Sequence, residues 1–183
     1  MPTEFPTFTS SIPQPDRAER RSVGVVVERR RVDSPWIEAR WQPVLLVPPD
    51  AERADWSVMA EGPDWTRHYA GTAEIALFPT EAENYKHNLD GGAPCAYVIL
   101  RPGGPAPGLR LLAVTVDPGE IDTHAEAGDD VIEPLPLPIP LLLWMDGFVA
   151  RHHVERSFHK RKRDRADPDA LAPRRPNGQP RHG

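Results

Sequence analysis

Alternation of apolar and polar residues predicts a chain built mainly of short β-strands. Residues 22–31 are rich in β-branched side chains, with Val23, Val25 and Val27 on one face. Residues 55–71 have the pattern of a hairpin whose turn is Gly62-Pro63-Asp64. Four further strands are predicted at 42–48, 72–79, 95–102 and 109–118.

Two segments have helical signals instead. Thr80 and Glu83 have the spacing of a capping box directly after Pro79, which predicts a small helix that ends at the turn 90–92. From Leu141 onwards apolar residues recur at helical spacing. That pattern predicts a longer C-terminal helix, and we expect its charged end to continue towards Arg165.

Proline and carboxylate residues shape the connections, because 23 of the 183 residues are proline. Pro43 restricts its strand to an edge position or a strand start. In 133–140, "EPLPLPIP", proline occupies every second position, which favours polyproline II. The run from Asp117 to Glu133 holds seven carboxylates and no Lys or Arg, which predicts a solvated loop.

Together these elements predict an α+β fold that is mostly β. We expect a single domain of six or seven short, largely antiparallel strands, with a small mid-chain helix and a longer C-terminal helix packed on the sheet. Residues 1–21 are predicted to be a disordered proline-rich arm and 22–156 the globular domain. Residues 157–183 are predicted to be a basic helical extension and a disordered tail.

Charge and hydropathy indicate which partners and which compartment to expect. Residues 1–150 carry 12 Lys/Arg against 23 Asp/Glu, a net of −11, whereas 151–183 carry 10 against 4, a net of +6. The basic tail is therefore expected either to bind an acidic partner or to fold onto the acidic loop. No apolar run approaches the roughly 18 residues of a membrane helix, and the N-terminus lacks a secretory pattern. We expect a cytoplasmic protein with no membrane insertion.

The sequence predicts no catalytic residue, metal or cofactor. His152 and His153 are adjacent on a predicted helix, about 100° apart, and cannot face one ion together. His159 lies six residues beyond His153, a spacing that no zinc motif uses. Cys95 is the single cysteine and opens an apolar strand, where a lone thiol usually serves packing.

Contacts with another protein are the leading functional hypothesis. Tryptophan is favoured as an interface anchor, which singles out Trp36 and Trp41 in "SPWIEARW". The tail is predicted to dock a partner through Phe158, His159, Lys160, Arg161, Lys162, Arg163 and Arg165.

Two alternatives remain open. An enzyme or binding protein for a phosphorylated cofactor such as a molybdopterin would line a pocket with Arg29, Arg31, His68 and Arg101. A nucleic-acid-binding regulator would use the basic tail, although the acidic body would be repelled by DNA. An enzyme requires those scattered groups to converge in one cleft, whereas an accessory protein requires an exposed patch.

Several segments resemble a known bacterial family, the domain-of-unknown-function family 3305. They are "VGVVVERRRVDSPWIEARWQPV", "RHYAGTAEIALFPTEAENYKHNLDGGAPCAYVILRP", "EAGDDVIEPLPLP" and "FVARHHVERSFHKRKRDRADP". Members resemble companions of molybdenum-dependent formate dehydrogenases, encoded beside their subunits and maturation factors. The resemblance implies a non-catalytic accessory or assembly protein whose partner is a molybdoenzyme subunit or maturation factor.

Some members of that family carry a label of molybdopterin-guanine dinucleotide synthesis, which the residues do not support here. A nucleotidyltransferase of that kind needs a glycine-rich loop after its first strand. In this chain the first strand is followed by "ERRRVDSPW", which contains no glycine. The alternating strand–helix order of a Rossmann-like sheet is also missing from the predicted elements.

Overall fold

A computed structural model describes residues 17–125 and 128–153. Within those residues the chain forms seven strands and three α-helices. The strands are β1 (Glu19–Arg31), β2 (Ala39–Val47), β3 (Ser57–Glu61), β4 (Trp65–Leu77), β5 (Cys95–Pro102), β6 (Leu109–Thr115) and β7 (Val131–Pro136). The helices are α1 (Ala82–Asp90), α2 (Ile121–Ala125) and α3 (Ile139–His152).

The strands form two antiparallel sheets. Sheet A has the order β2-β1-β4-β3, and sheet B has the order β6-β5-β7. The two sheets meet along two seams, because β4 contacts β6 and β2 contacts β7. The prediction of a mostly β domain with a small mid-chain helix and a longer C-terminal helix is confirmed.

The core lies on the inner face of sheet A, where it meets sheet B, α1 and α3. Alternation along β1 places Val23, Val25 and Val27 in this core, and all three are almost fully buried. At one end of the molecule α3 covers the core, and its Phe148 packs edge-on against Tyr85 of α1 at 6.0 Å. Both side chains are inaccessible to solvent. We call this region, formed by α1 and α3, the helical end.

The outer face of sheet A is only partly covered. Tyr69 is buried there, and its hydroxyl accepts a hydrogen bond from the backbone N–H of Asp50 at 3.0 Å. Gly24 lies beneath the same ring, where a Cβ atom would approach Tyr69 to 2.6 Å, so only glycine fits. Further along the same face lie the polar side chains of Glu28, Arg30, Arg40 and Arg67.

The first strand is central in its sheet. β1 pairs with β2 on one side and with β4 on the other. It begins at Glu19, ahead of the predicted start, because Glu19 pairs with Leu77 in the ladder with β4. The proline restriction holds: β2 is an edge strand, and Pro43 lies where its register with β1 shifts.

Both helix boundaries differ from the predictions. The capping box at Thr80 and Glu83 does not form, because Pro79–Glu81 make a 3-10 turn and α1 begins only at Ala82, without a side-chain cap. α3 ends at His152, since His153 has extended backbone angles of φ −74 and ψ 120. The predicted continuation towards Arg165 lies outside the described residues.

The acidic and proline-rich segments differ from the predictions. The run from Asp117 to Glu133 is not simply a solvated loop, because it includes α2 and because Asp117 is buried. The polyproline II prediction is wrong for the first part of 133–140, because Val131–Pro136 form a strand that pairs with β5. A strand with proline at alternate positions can still pair on one side, because its remaining N–H groups all face the same neighbour.

Candidate functional site

The end of sheet A opposite the helical end carries exposed aromatic and basic side chains, and we call it the open end. The β1–β2 loop and the β3–β4 turn lie side by side there, because the Arg31 amide donates to the Asp64 carbonyl at 2.8 Å. In the loop, Trp36 is 90% exposed and Ile37 is 53% exposed. The tip of this loop therefore presents two large apolar side chains to solvent.

The two tryptophans predicted as anchors have different environments. Trp36 lies in the loop before strand pairing begins, so no neighbouring strand covers it. Trp41 lies within β2 on the inner face, where it packs edge-on against Trp56 at 6.0 Å and against His68 at 5.2 Å. The structure therefore places Trp36 as an accessible side chain and Trp41 as a partly buried side chain packed against the core.

His68 lies beside Trp41, and its surroundings favour the neutral imidazole. Burial lowers the pKa of His68, and the nearby positive charge of Arg29 lowers it further. Its Nδ1 is buried and has no hydrogen-bond partner among the residues that the structure describes. Arg29 is itself held by an ion pair of 2.9 Å with Glu38, at the base of the β1–β2 loop.

The four residues of the alternative ligand pocket do not converge in one place. Arg29 lies near His68, as expected for neighbouring strands. Arg31 ends β1 as an exposed side chain. Arg101 lies on β5 in sheet B, where Asp130 accepts two hydrogen bonds of 2.7 Å from its guanidinium. This bidentate pair explains why the pKa of Asp130 is lowered, although its desolvation opposes the change.

Sheet A's outer face carries a set of arginines at the open end that we call the arginine row: Arg30, Arg40 and Arg67. Glu28 organises two of them. One carboxylate oxygen accepts from Arg30 Nε at 2.9 Å and Nη2 at 2.6 Å, and the other accepts from Arg67 Nε at 3.0 Å. The Arg67 guanidinium also lies over the Trp65 ring, 4.9 Å from its centroid.

Glu28 is an unusual group for a strand surface, because its side chain is only 8% exposed. Burial by itself raises the pKa of Glu28, but hydrogen bonds from Arg67 and Arg30 outweigh that effect and leave the pKa below its ordinary value. The carboxylate is therefore charged at neutral pH. It fixes the positions of two guanidinium groups, each of which keeps further N–H donors that Glu28 does not use.

Arg40 completes the row, and it has no such partner in the described part of the chain. The register of β1 with β2 places Arg40 directly opposite Arg30, on the same face. Like charges directly opposite each other on neighbouring strands are destabilising. Within residues 17–125 and 128–153, no carboxylate lies within ion-pair distance of Arg40. The next residue on that face of β2, Gln42, donates to Glu133 of β7 at 2.9 Å.

A small cleft lies elsewhere, at the seam between β4 and β6. It has a volume of about 320 Å³, near the lower limit for ligand pockets, and Asp55, Glu74 and Arg110 lie on its walls. Gly71 also lines it and has a φ of +135, a conformation that disfavours any other residue. The cleft contains none of the four residues of the alternative ligand pocket.

Other predicted site residues cannot be placed. The docking tail of Phe158, His159, Lys160, Arg161, Lys162, Arg163 and Arg165 lies outside the described residues. In the parts of the chain that the structure describes, no three His, Cys, Asp or Glu side chains are grouped to hold a metal ion. In the same parts, no helix combines the length and apolar composition needed to cross a membrane.

Comparison with protein families gives one match, to the family described as protein of unknown function (DUF3305), over residues 22–162. The chain belongs to this family. The match starts three residues after β1 begins and runs past the end of α3, so the open end and the helical end both lie within the family domain. Comparisons with curated proteins and with solved structures gave no match.

Sequence reasoning missed the arginine row and its central carboxylate. The sequence alone does not show which residues lie beside Arg30 and Glu28 in the sheet. Arg40 comes from β2 and Arg67 from β4, and the ladder with β4 joins residues more than thirty positions apart. A glutamate alternating with an arginine in the middle of a β-branched strand was the available signal.

Proposed function

We propose that the protein is a non-catalytic accessory factor that acts through protein contacts. The observation that carries this proposal is the open end, where Trp36 is 90% exposed in the loop between β1 and β2, and Arg30 and Arg40 lie on those two strands. Tryptophan and arginine are the residues most enriched among those that dominate binding energy at protein interfaces. A loop tip that presents Trp36 and Ile37 together fits insertion into an apolar depression on another protein.

For the partner, we propose a molybdenum-dependent formate dehydrogenase or one of its maturation factors, in the cytoplasm. This part of the proposal rests on the resemblance of the family to companions of such enzymes. The geometry adds a reason to favour contacts over chemistry, because the exposed groups are spread along an open sheet face and a loop tip. Such an arrangement suits a macromolecular surface better than a small substrate.

The test is copurification from the native cell. Tagged wild-type protein is expected to retain subunits of the formate dehydrogenase, measured by mass spectrometry, and Trp36→Ala is expected to lose most of them. A buried interface tryptophan typically costs about 2 kcal/mol or more when truncated, which is roughly a thirtyfold loss of affinity.

Leu143→Ala is the matched control, because Leu143 is a large apolar residue on α3 that is 65% exposed. It should leave copurification unchanged. If Trp36→Ala retains the enzyme subunits as well as wild type does, the open end is not the docking surface. If wild type retains none of them, the proposed partner is wrong.

A further inference from the structure

The arginine row contains two like charges that face each other within the sheet. Arg30 and Arg40 stand opposite each other on adjacent strands, where like charges repel. Arg30 is 56% exposed and is drawn towards Glu28, whereas Arg40 has no ion-pair partner among the described residues. Local features that oppose stability are expected where a surface is adapted to something outside the fold.

We infer that the arginine row binds the carboxylate side chains of an acidic segment of the partner protein. The row runs across β4, β1 and β2, and neighbouring strands are about 4.8 Å apart. An extended segment laid across these strands could place successive acidic side chains against successive guanidinium groups. This inference rests on the proposed function in one respect, namely that the partner is a protein.

Glu28 gives the row its preorganisation. Because its buried carboxylate holds Arg30 and Arg67, those two guanidinium groups need little further ordering when a ligand arrives. Three arginines and one glutamate leave a local charge of +2 on this face. Arg67 is also fixed by its contact with Trp65, whose ring in turn covers Gly62 so closely that a Cβ atom there would lie 2.3 Å from the indole nitrogen.

An acidic polypeptide fits this surface better than a nucleic acid or a free phosphate. The row lies on an open sheet face and not in a pocket, so a small anion would be left largely hydrated. The body of the protein is acidic, with a net charge of −11 over residues 1–150, and such a body disfavours long polyanions. A short segment with a few carboxylates contacts the row without meeting the rest of that charge.

The experiment measures binding of a fluorescent peptide, in which glutamate alternates with serine, to the full-length protein by anisotropy. Wild type is expected to bind it more tightly than the same peptide with glutamine for glutamate. Arg40→Glu should weaken binding about three- to tenfold, because it removes one attraction and adds one repulsion. That variant should also fold well, since it creates an opposite-charge pair with Arg30.

Arg110→Glu is the matched control, because Arg110 is an exposed arginine on β6 that also faces another arginine, Arg101, across its sheet. Unlike Arg30, Arg101 is neutralised by Asp130. Arg110→Glu should change peptide binding by less than about twofold. Equal loss in both variants would mean that net charge alone drives binding, and the inference would be wrong.

Three further outcomes would also overturn the inference. The first is equal binding of the glutamate and glutamine peptides. The second is tighter, Arg40-dependent binding of a single-stranded oligonucleotide or of inorganic phosphate. The third is Arg40-dependent self-association in sedimentation, which would assign the carboxylates to a second copy of the chain. Failure of the proposed function is separate, because Trp36→Ala would then retain the enzyme subunits whatever the peptide result.

Discussion

The helical end and the open end of the same core differ in how completely their side chains find partners. At the helical end, Phe148 and Tyr85 are inaccessible to solvent, and the buried Asn88 of α1 makes three hydrogen bonds to the backbone of residues 95 and 116. At the open end, Trp36 is almost fully exposed and Arg40 lacks an ion-pair partner among the described residues. The helical end accounts for stability, and the open end leaves interactions available to another molecule.

Substitution at the helical end should have the largest effect on folding. Phe148→Ala should destabilise the protein by about 3–5 kcal/mol, because it opens a cavity between α3, α1 and the sheet. Urea titration measures the change, and Leu143→Ala on the exposed face of the same helix should cost less than about 0.5 kcal/mol. Similar losses in the two variants would show that the core does not extend to α3.

Glu28→Gln should have an intermediate effect that depends on pH. At neutral pH we expect a loss of about 1–2 kcal/mol, because the charged hydrogen bonds to Arg30 and Arg67 are weakened and both arginines are partly exposed. The pKa of Glu28 is lowered in the folded state, so its contribution is present above its ordinary pKa of 4.5 and is lost as pH falls through the folded value.

Acid titration of stability checks this assignment. Wild type should lose more stability than Glu28→Gln when the pH is lowered below about 4.5, so the two should converge in acid. Part of the wild-type acid sensitivity should survive in the variant, because the pKa of Asp130 is also lowered, by its pair with Arg101. Parallel curves for the two proteins would exclude Glu28 as a charged group in the folded state.

Arg40→Glu should slightly increase the free energy of unfolding, in contrast to the two substitutions above. Replacing a like-charge cross-strand pair by an opposite-charge pair should stabilise the fold by about 0.2–1 kcal/mol. Thermal or urea unfolding at low salt measures it, and the gain should shrink as salt screens the pair. A loss of stability instead would mean that Arg40 has a structural partner, which would remove the argument that it serves binding.

Trp36→Ala should have the smallest effect on folding. An exposed side chain at a loop tip contributes little to the core, so stability should change by less than about 0.5 kcal/mol. Circular dichroism and urea titration on the variant used for copurification provide this measurement. A much larger loss would place Trp36 in the packing of the domain and would make any loss of copurification uninformative.

The fold was largely accessible from local patterns in the sequence. Alternation in 22–31 and the Gly62-Pro63-Asp64 turn depend only on neighbouring residues, and both were predicted. The position of β1 between β2 and β4 was not, because strand order depends on contacts between distant residues. The capping box failed because Pro79 begins a 3-10 turn and delays the helix to Ala82.

Only part of the candidate site could be predicted from the sequence, and Trp36 and Trp41 show why. Both lie in one eight-residue stretch, and composition gives them equal standing as anchors. What separates them is pairing: Trp41 lies opposite Arg29 on the inner face of a ladder, and Trp36 precedes the first paired residue of β2. The arginine row depends even more on register, because moving β2 by one residue would send Arg40 to the other face.

The proline-alternating strand β7 limits how sheet B can hydrogen-bond to sheet A. The Leu137 amide points towards the β5 side, where it donates to the Pro94 carbonyl. The prolines at 134, 136 and 138 therefore fall at positions where an N–H would point away from β5, towards β2. Because these proline positions offer no donor, and β2 carries its own Pro43, a continuous backbone ladder between the two sheets is disfavoured along this side. The side chains of Gln42 and Glu133 form a hydrogen bond across this seam instead.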